Sequence, residues 1–123
     1  MTLSETIPLT IDDDACRRFQ QAAELAGKKW TASILLAAYR GAERFSEYRH
    51  LVTGVSDRML SVRLRELEND DLIARTVIPT TPVQIRYSLT PRGRELIQGL
   101  QPLVDWSTRW DGVPAEHRPA SSL

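Results

Sequence analysis

Between Ser56 and Leu89 the spacing of apolar residues changes from helical to alternating. Leu60, Leu64 and Leu67 recur three and four residues apart and form one stripe of a helix running from Ser56 to about Asn69, a stripe that must be buried. Beyond Asn69-Asp70-Asp71 the chain turns β-branched in LIARTVI. VQIRYSL then alternates, with Val83, Ile85, Tyr87 and Leu89 on one face and Gln84, Arg86 and Ser88 on the other. A strand pair straight after a helix is therefore predicted. The connecting PTTP at 79–82 makes a stiff, exposed hairpin tip, because proline cannot donate to the ladder.

The flanking segments read as helices. Asp12, Asp13 and Asp14 offer an N-cap and first-turn acids for a helix from about Asp13 to Ala26, with Phe19, Ala22, Ala23 and Ala26 as its apolar side and Gly27 as its stop. Trp30, Ile34, Leu35 and Ala38 predict a buried helix from about Lys29 to Tyr39, ended by Gly41. Phe45 before Ser46 reads as an apolar staple before an N-cap, opening a short helix to about Val52. Thr53-Gly54 is a tight turn, and Ser56 is the next N-cap. Thr90-Pro91 opens a last helix reaching about Trp110, which Pro102 should bend. The expected fold is mainly α with a small β-hairpin wing (α+β), in one domain over residues 12–110. Residues 1–11 are expected to form a loose arm and 111–123 a polar tail.

Composition narrows the function by exclusion. A hydrophobic fraction of 41% and a charged fraction of 26% are those of a globular protein. No apolar run approaches the ~20 residues of a membrane span, and the acidic N-terminus does not read as a secretory signal. A cytoplasmic protein with no membrane association is expected. One cysteine, Cys16, leaves no intramolecular disulfide, and two distant histidines, His50 and His117, do not suit a zinc site. No metal or cofactor is expected, and no catalytic set: there is no phosphate-cradling glycine loop and no nucleophile–base pairing, so the chain reads as a non-enzyme.

Net charge is zero, but its distribution is uneven. Residues 1–15 carry four acids and no base, whereas Arg40, Arg44, Arg49, Arg58, Arg63 and Arg65 face only Glu43, Glu47 and Asp57 over the same stretch. A local basic surface can bind nucleic acid in a neutral protein, because the field at the contact is what matters.

A short helix, a glycine-containing turn, a longer helix and a hairpin make a winged helix-turn-helix. With Leu60, Leu64 and Leu67 directed inward, a step of ~100° per residue turns Arg58, Val62 and Arg65 outward and leaves Ser61 at the flank. Arg63 falls nearer the buried side and is expected to pair with an acid. Arginine can donate two hydrogen bonds to guanine, and valine can meet a thymine methyl. Arg58, Ser61, Val62 and Arg65 are thus candidates for contact with double-stranded DNA, with Ser56 at the helix start. Asp57 falls close to the same groove. Thr80, Thr81 and Arg86 of the wing could reach the backbone or a minor groove, and Ser46 could offer a phosphate its hydroxyl. The bland readings are a solvated charged face, a polar turn and a plain cap.

The stretch from Gly27 to Leu96 resembles the HxlR-type winged helix-turn-helix transcriptional regulators of bacteria. The marks are Lys29-Trp30; Arg44-Phe45-Ser46-Glu47; Ser56 with Met59-Leu60 and Arg63-Leu64; Glu66-Leu67; Leu72 with Arg75; Pro82; Tyr87-Ser88-Leu89-Thr90 with Gly93; and Trp106. The resemblance runs from about Cys16 to Trp106. It implies a homodimer joined through the first and last helices, reading a pseudo-palindromic operator to regulate a neighbouring gene as repressor or activator. Phe19, Leu96, Leu100, Leu103, Val104, Trp106 and Trp110 support such an interface, since one helix can hide only one stripe within its own chain. Three positions depart from the family: Asp71 and Lys28 replace usual glycines, and Arg86 stands where an acid is common, making the wing more basic.

Some members of that family sense oxidants or electrophiles through a cysteine near the N-terminus, where Cys16 lies. A helix N-terminus and Arg17-Arg18 favour a thiolate there, while Asp12, Asp13 and Asp14 oppose it. Cys16 is a redox candidate against the plain alternative of a small buried hydrophobe. A small-molecule effector is the other option for a signal. The competing function classes are a winged helix used as a protein-interaction module, which would want an acidic or apolar outward helix face, and a ligand-responsive MarR-like regulator.

Overall fold

The computed structural model describes residues 10–113. The expected arm and tail fall almost wholly outside the described residues. The chain runs α1 (Asp13–Gly27), α2 (Thr31–Tyr39), α3 (Phe45–Leu51), α4 (Asp57–Asn69), β1 (Ile73–Ile78), β2 (Gln84–Leu89), α5 (Pro91–Gly99) and α6 (Gln101–Trp110).

Local chemistry sets the boundaries. The Asp12 carboxylate accepts from Ala15 N at 2.7 Å, the Ser56 hydroxyl from Met59 N at 3.1 Å, and the Thr90 hydroxyl from Gly93 N at 3.0 Å. Two helices end in Schellman turns. At α2, Gly41 at φ 102° lets Ala42 N reach Ala37 O and Gly41 N reach Ala38 O, each at 3.0 Å. At α4, Leu72 N reaches Leu67 O at 2.9 Å and Asp71 N reaches Glu68 O at 3.0 Å. There Asp71 takes the left-handed φ of 57° that glycine adopts without cost. The turn thus keeps the geometry that suits glycine, and Asp71 bears the strain of it. Lys28 needs no such conformation, having φ −63° and ψ 137°. Trp30 is left-handed too, at φ 75°, which no sequence signal announced.

The core is built around the helix-turn-helix. Ile34 and Leu35 of α2, Tyr48 of α3, Leu60, Leu64 and Leu67 of α4, and Leu72 and Ile73 are all but inaccessible to solvent. Antiparallel β1 and β2 pair from Ile73↔Leu89 to Ile78↔Gln84, so their tip is residues 79–83. The alternation gives two faces as expected, but burial fades along the ribbon. Ile73 is buried and Tyr87 and Leu89 half-buried at the base, whereas Val77, Val83 and Ile85 are exposed toward the tip.

Two expectations need correction. Ser46 is not an N-cap: α3 starts at Phe45, and the Glu47 carboxylate reaches back to accept from Glu43 N at 2.9 Å and Arg44 N at 2.8 Å. A carboxylate in the first turn satisfies two donors where a hydroxyl would satisfy one. The last helix is not one bent rod but two, divided at Leu100. Pro102 has no N–H to give the Gln98 carbonyl and its ring crowds that carbonyl, so the ladder parts just upstream, next to the weak helix former Gly99. Helix α1 lies on the surface of the domain: it has no buried residue, and Phe19 is 66% exposed.

Candidate nucleic-acid interface

Helix α4 has two chemically different sides. Leu60, Leu64 and Leu67 are buried, and Arg58, Ser61, Val62 and Arg65 are exposed, with Val62 at 37%. Neither Arg58 nor Arg65 has a hydrogen-bond or ion-pair partner among the described residues, so both guanidinium groups keep their donors available. Arg63 turns the other way, as its place on the wheel predicts. Its side chain is 17% exposed, its Nε donates to the Lys29 carbonyl at 3.0 Å, and it meets Glu66. Lys28 Nζ also reaches Glu66, at 2.5 Å. These contacts hold α4 against the segment joining α1 to α2. They keep the Glu66 carboxyl below its ordinary range, through the Lys28 and Arg63 hydrogen bonds.

Helix α3 is held across the start of α4 by Arg49, whose Nη1 lies 3.2 Å from Asp57 Oδ2. Asp57, expected near the groove, is thereby neutralised by its neighbour. Glu47 is held below the ordinary carboxyl range, first by the Arg44 and then by the Glu43 main-chain N–H. On the opposite side of α3, Tyr48 joins the wing: its hydroxyl donates to the Tyr87 carbonyl at 2.9 Å. Burial first, then Glu43 and Glu47, push the Tyr48 phenol far up. The Tyr87 N–H reaches Glu43 O at 2.7 Å, so the free edge of β2 is anchored to the turn before α3.

The wing candidates differ from one another. Thr80 and Thr81 are exposed at the tip, and the Thr80 hydroxyl is already donating to Pro82 O at 2.8 Å. Arg86 is half-buried. Its Nη1 lies 3.4 Å from Glu43 Oε1 and its Nη2 3.3 Å from Gln84 Oε1, while its Nε is buried without a partner. Its charge is thus directed into the body of the domain rather than out from the wing. Glu43 as its partner was not foreseen, since the two are far apart in sequence. Ser46 is exposed in the first turn of α3.

The candidates for a dimer surface lie away from α4. Phe19, Leu103 and Trp106 are exposed, and Leu100 and Trp110 are half-buried. Leu36, Tyr39, Ile97, Leu100 and Val104 border an apolar groove between α2 and α5–α6. Cys16 is an exposed free thiol one turn from Phe19 on α1. Its neighbour Arg17 is engaged by Asp14. Among the described residues no group of three or more His, Cys, Asp or Glu could hold a metal ion, and no helix is long and apolar enough to cross a membrane.

Two helices joined by a tight turn, the second backed by a two-stranded wing, define a winged helix-turn-helix protein. Residues 25–114 match the HxlR-like helix-turn-helix family, and the chain belongs to it. It is 41% identical over 97 residues to the uncharacterized HTH-type transcriptional regulator YvaP of Bacillus subtilis, a match covering 79% of this chain and 90% of that one. The structure of diamide-treated YodB from B. subtilis superposes with a TM-score of 0.69 at 34% identity, covering 77% of this chain and 94% of YodB. The redox regulator HypR in its oxidized form gives 0.67 at 30% identity, covering 75% and 95%. The resemblance read from the sequence is therefore correct at the level of family and fold.

Proposed function

We propose that this protein is a cytoplasmic transcriptional regulator that binds an operator in duplex DNA as a homodimer, with α4 in the major groove. The observation that carries this reading is the two-sidedness of α4. Arg58 and Arg65 stand exposed, and unpaired among the described residues, on either side of Val62 and opposite the leucines that fix the helix to the core. An acidic or apolar outward face would have favoured a protein partner; this one suits base edges and phosphates. The activity is binding rather than catalysis. Exposed Phe19, Leu103 and Trp106 support a symmetric dimer through α1 and α6, which would read a roughly palindromic site.

A second reading concerns the signal. Cys16 is exposed on α1, among the residues proposed to meet the partner, and the chain resembles YodB and HypR, whose structures were determined in diamide-treated and oxidized forms. Oxidation would join two Cys16 thiols as a disulfide, with diamide taking up the two electrons and two protons. That requires the dimer to bring the Cα atoms within ~7 Å.

Fluorescence anisotropy of the full-length protein on DNA from upstream of its own gene, across a salt series, tests both readings. Tight, salt-steep binding over scrambled DNA supports the regulator, and no binding to any duplex overturns it. Loss of binding with diamide, abolished by Cys16→Ser, supports the thiol switch. Indifference to diamide makes Cys16 structural.

A further inference from the structure

Arg18, Gln21, Ala22 and Leu25 recur three and four residues apart on one side of α1, and this side faces the start of α5. There Arg92 and Leu96 lie one turn apart. Leu72, the first residue past the Schellman turn of α4, joins them. These side chains bound a cleft of about 240 Å³. Its apolar part is Leu25, Leu72 and Leu96, of which Leu72 is fully buried and the other two half-buried. Its charged part is two guanidinium groups from different helices.

Neither of those two cations meets a carboxylate among the described residues. Arg17, Arg49, Arg63 and Arg86 each meet a carboxylate. Arg18 has no hydrogen-bond or ion-pair partner among the described residues, and Arg92 donates only to the main-chain carbonyl of Asp70. Two arginines without a carboxylate partner among the described residues, beside the half-exposed Leu25 and Leu96, are complementary to an anion with an apolar body. A guanidinium presents paired N–H donors that match a carboxylate. The cleft is smaller than the ~300–1,000 Å³ of sites for drug-sized ligands, which limits the occupant to a compact acid.

We propose that the cleft between α1 and α5 binds a small organic carboxylate of about the size of benzoate, its carboxylate held by Arg18 and Arg92 and its apolar body resting on Leu25, Leu72 and Leu96. Arg92 ties the site to Asp70, the cap of α4, so an occupant sits one residue contact from the helix proposed to read DNA. Binding itself does not depend on the DNA reading and is measured without DNA.

The test is titration of the full-length protein by calorimetry at constant ionic strength with three probes. Benzoate carries both charge and apolar body, benzamide the body alone, and acetate the charge alone. Saturable binding of benzoate, at least ~10-fold tighter than of either control, is expected, with a matching rise in melting temperature. Arg18→Gln, at a residue that is itself exposed, should weaken benzoate ~10-fold or more while leaving the unliganded melting temperature unchanged. Arg92→Gln should do the same to binding; if it impairs folding through the Asp70 contact, the Arg18 variant carries the test. Absence of saturable binding, equal binding of the three probes, or full affinity in Arg18→Gln would each overturn the proposal. The first includes the case in which the partner's α1 fills the cleft.

Discussion

The Tyr48 hydroxyl donates to the Tyr87 carbonyl at 2.9 Å, and the two rings meet edge to face with centroids 6.1 Å apart. This one side chain joins the helix-turn-helix to the wing, since Tyr48 lies on α3 and Tyr87 on β2. Tyr48→Phe keeps the ring contact and removes the donor, leaving a half-buried carbonyl short of a partner. Destabilisation of about 1–3 kcal/mol is expected by denaturant unfolding. The phenol is also pushed up mainly by burial, so the folded state holds its proton more tightly than the unfolded chain, which releases it near pH ~10. The stability it contributes is full below that pH and is lost as pH rises beyond it toward the folded-state value. Between pH 9 and 12 the wild type should lose stability more steeply than Tyr48→Phe, and equal slopes would contradict the assignment.

Gly93 illustrates packing that leaves no room for one methyl group. A Cβ at this position would collide with the Leu72 main-chain carbonyl and press on the Leu89 side chain at 3.0 Å. The neighbour is backbone at the start of the wing, and cannot rotate away. Gly93→Ala should therefore cost about 1–3 kcal/mol despite alanine's better helix propensity. Gly99→Ala is the control: nothing lies within 4 Å of its added carbon, and the variant should be neutral or more stable. Comparison of the two urea midpoints decides.

Asp71 occupies a left-handed position that closes α4, and its cost can be read from two opposite substitutions. The turn needs φ of 57° to bring Leu72 N to Leu67 O. Asp71→Gly removes the Cβ penalty but adds unfolded-state freedom of ~0.5–1 kcal/mol, so the net change should be small and stabilising or neutral. Asp71→Val, β-branched, should destabilise by at least ~1 kcal/mol. A Val variant as stable as wild type would mean that the turn is not held in this conformation.

How much of this was readable in advance depends on the range of the forces involved. The leucine stripe of α4, the outward Arg58, Val62 and Arg65 and the Ser56 cap follow from local periodicity and turn chemistry and were legible, whereas the demand at Asp71 showed only through the glycine that the resembled family carries there. The marks of the family were legible for the same reason: they are local strings in one order. The Glu47 cap was missed because a carboxylate three residues into a helix competes with the serine beside it, and sequence does not say which reaches the N–H groups first. The pairing of Arg86 with Glu43 was missed because it links β2 to the turn before α3, which only the tertiary fold brings together. Phe19 on α1 was legible as surface in excess of what one domain can hide, and among the described residues it stays 66% exposed.

The Lys28–Glu66–Arg63 contacts predict behaviour in acid. Glu66 is held below the ordinary carboxyl range by these two cations, so the unfolded chain binds a proton at a higher pH than the folded one. The stabilisation is present above the unfolded value of ~4.3 and fades as pH falls through the lower folded value. Glu66→Gln should be less stable than wild type at pH 7 and should show a shallower decline of melting temperature from pH 5 to pH 3. Because the side chain is 36% exposed, the difference should shrink in 1 M salt.

Arg58 and Arg65 separate base reading from charge. Both are exposed on α4 and unpaired among the described residues, so replacing either by alanine leaves the core leucines undisturbed and should change melting temperature little. Each should weaken operator binding by about 1–3 kcal/mol if it donates to a base, with relaxed preference at the contacted position. A phosphate contact instead weakens all duplexes alike and lowers the slope of log affinity against log salt by about one. Arg63→Ala is the contrasting variant. Its guanidinium is spent on the Lys29 carbonyl and Glu66, so its loss should lower stability first and leave the salt slope of the folded protein unchanged. If Arg63→Ala reduced that slope while Arg58→Ala and Arg65→Ala did not, the outward face assigned to α4 would be the wrong one.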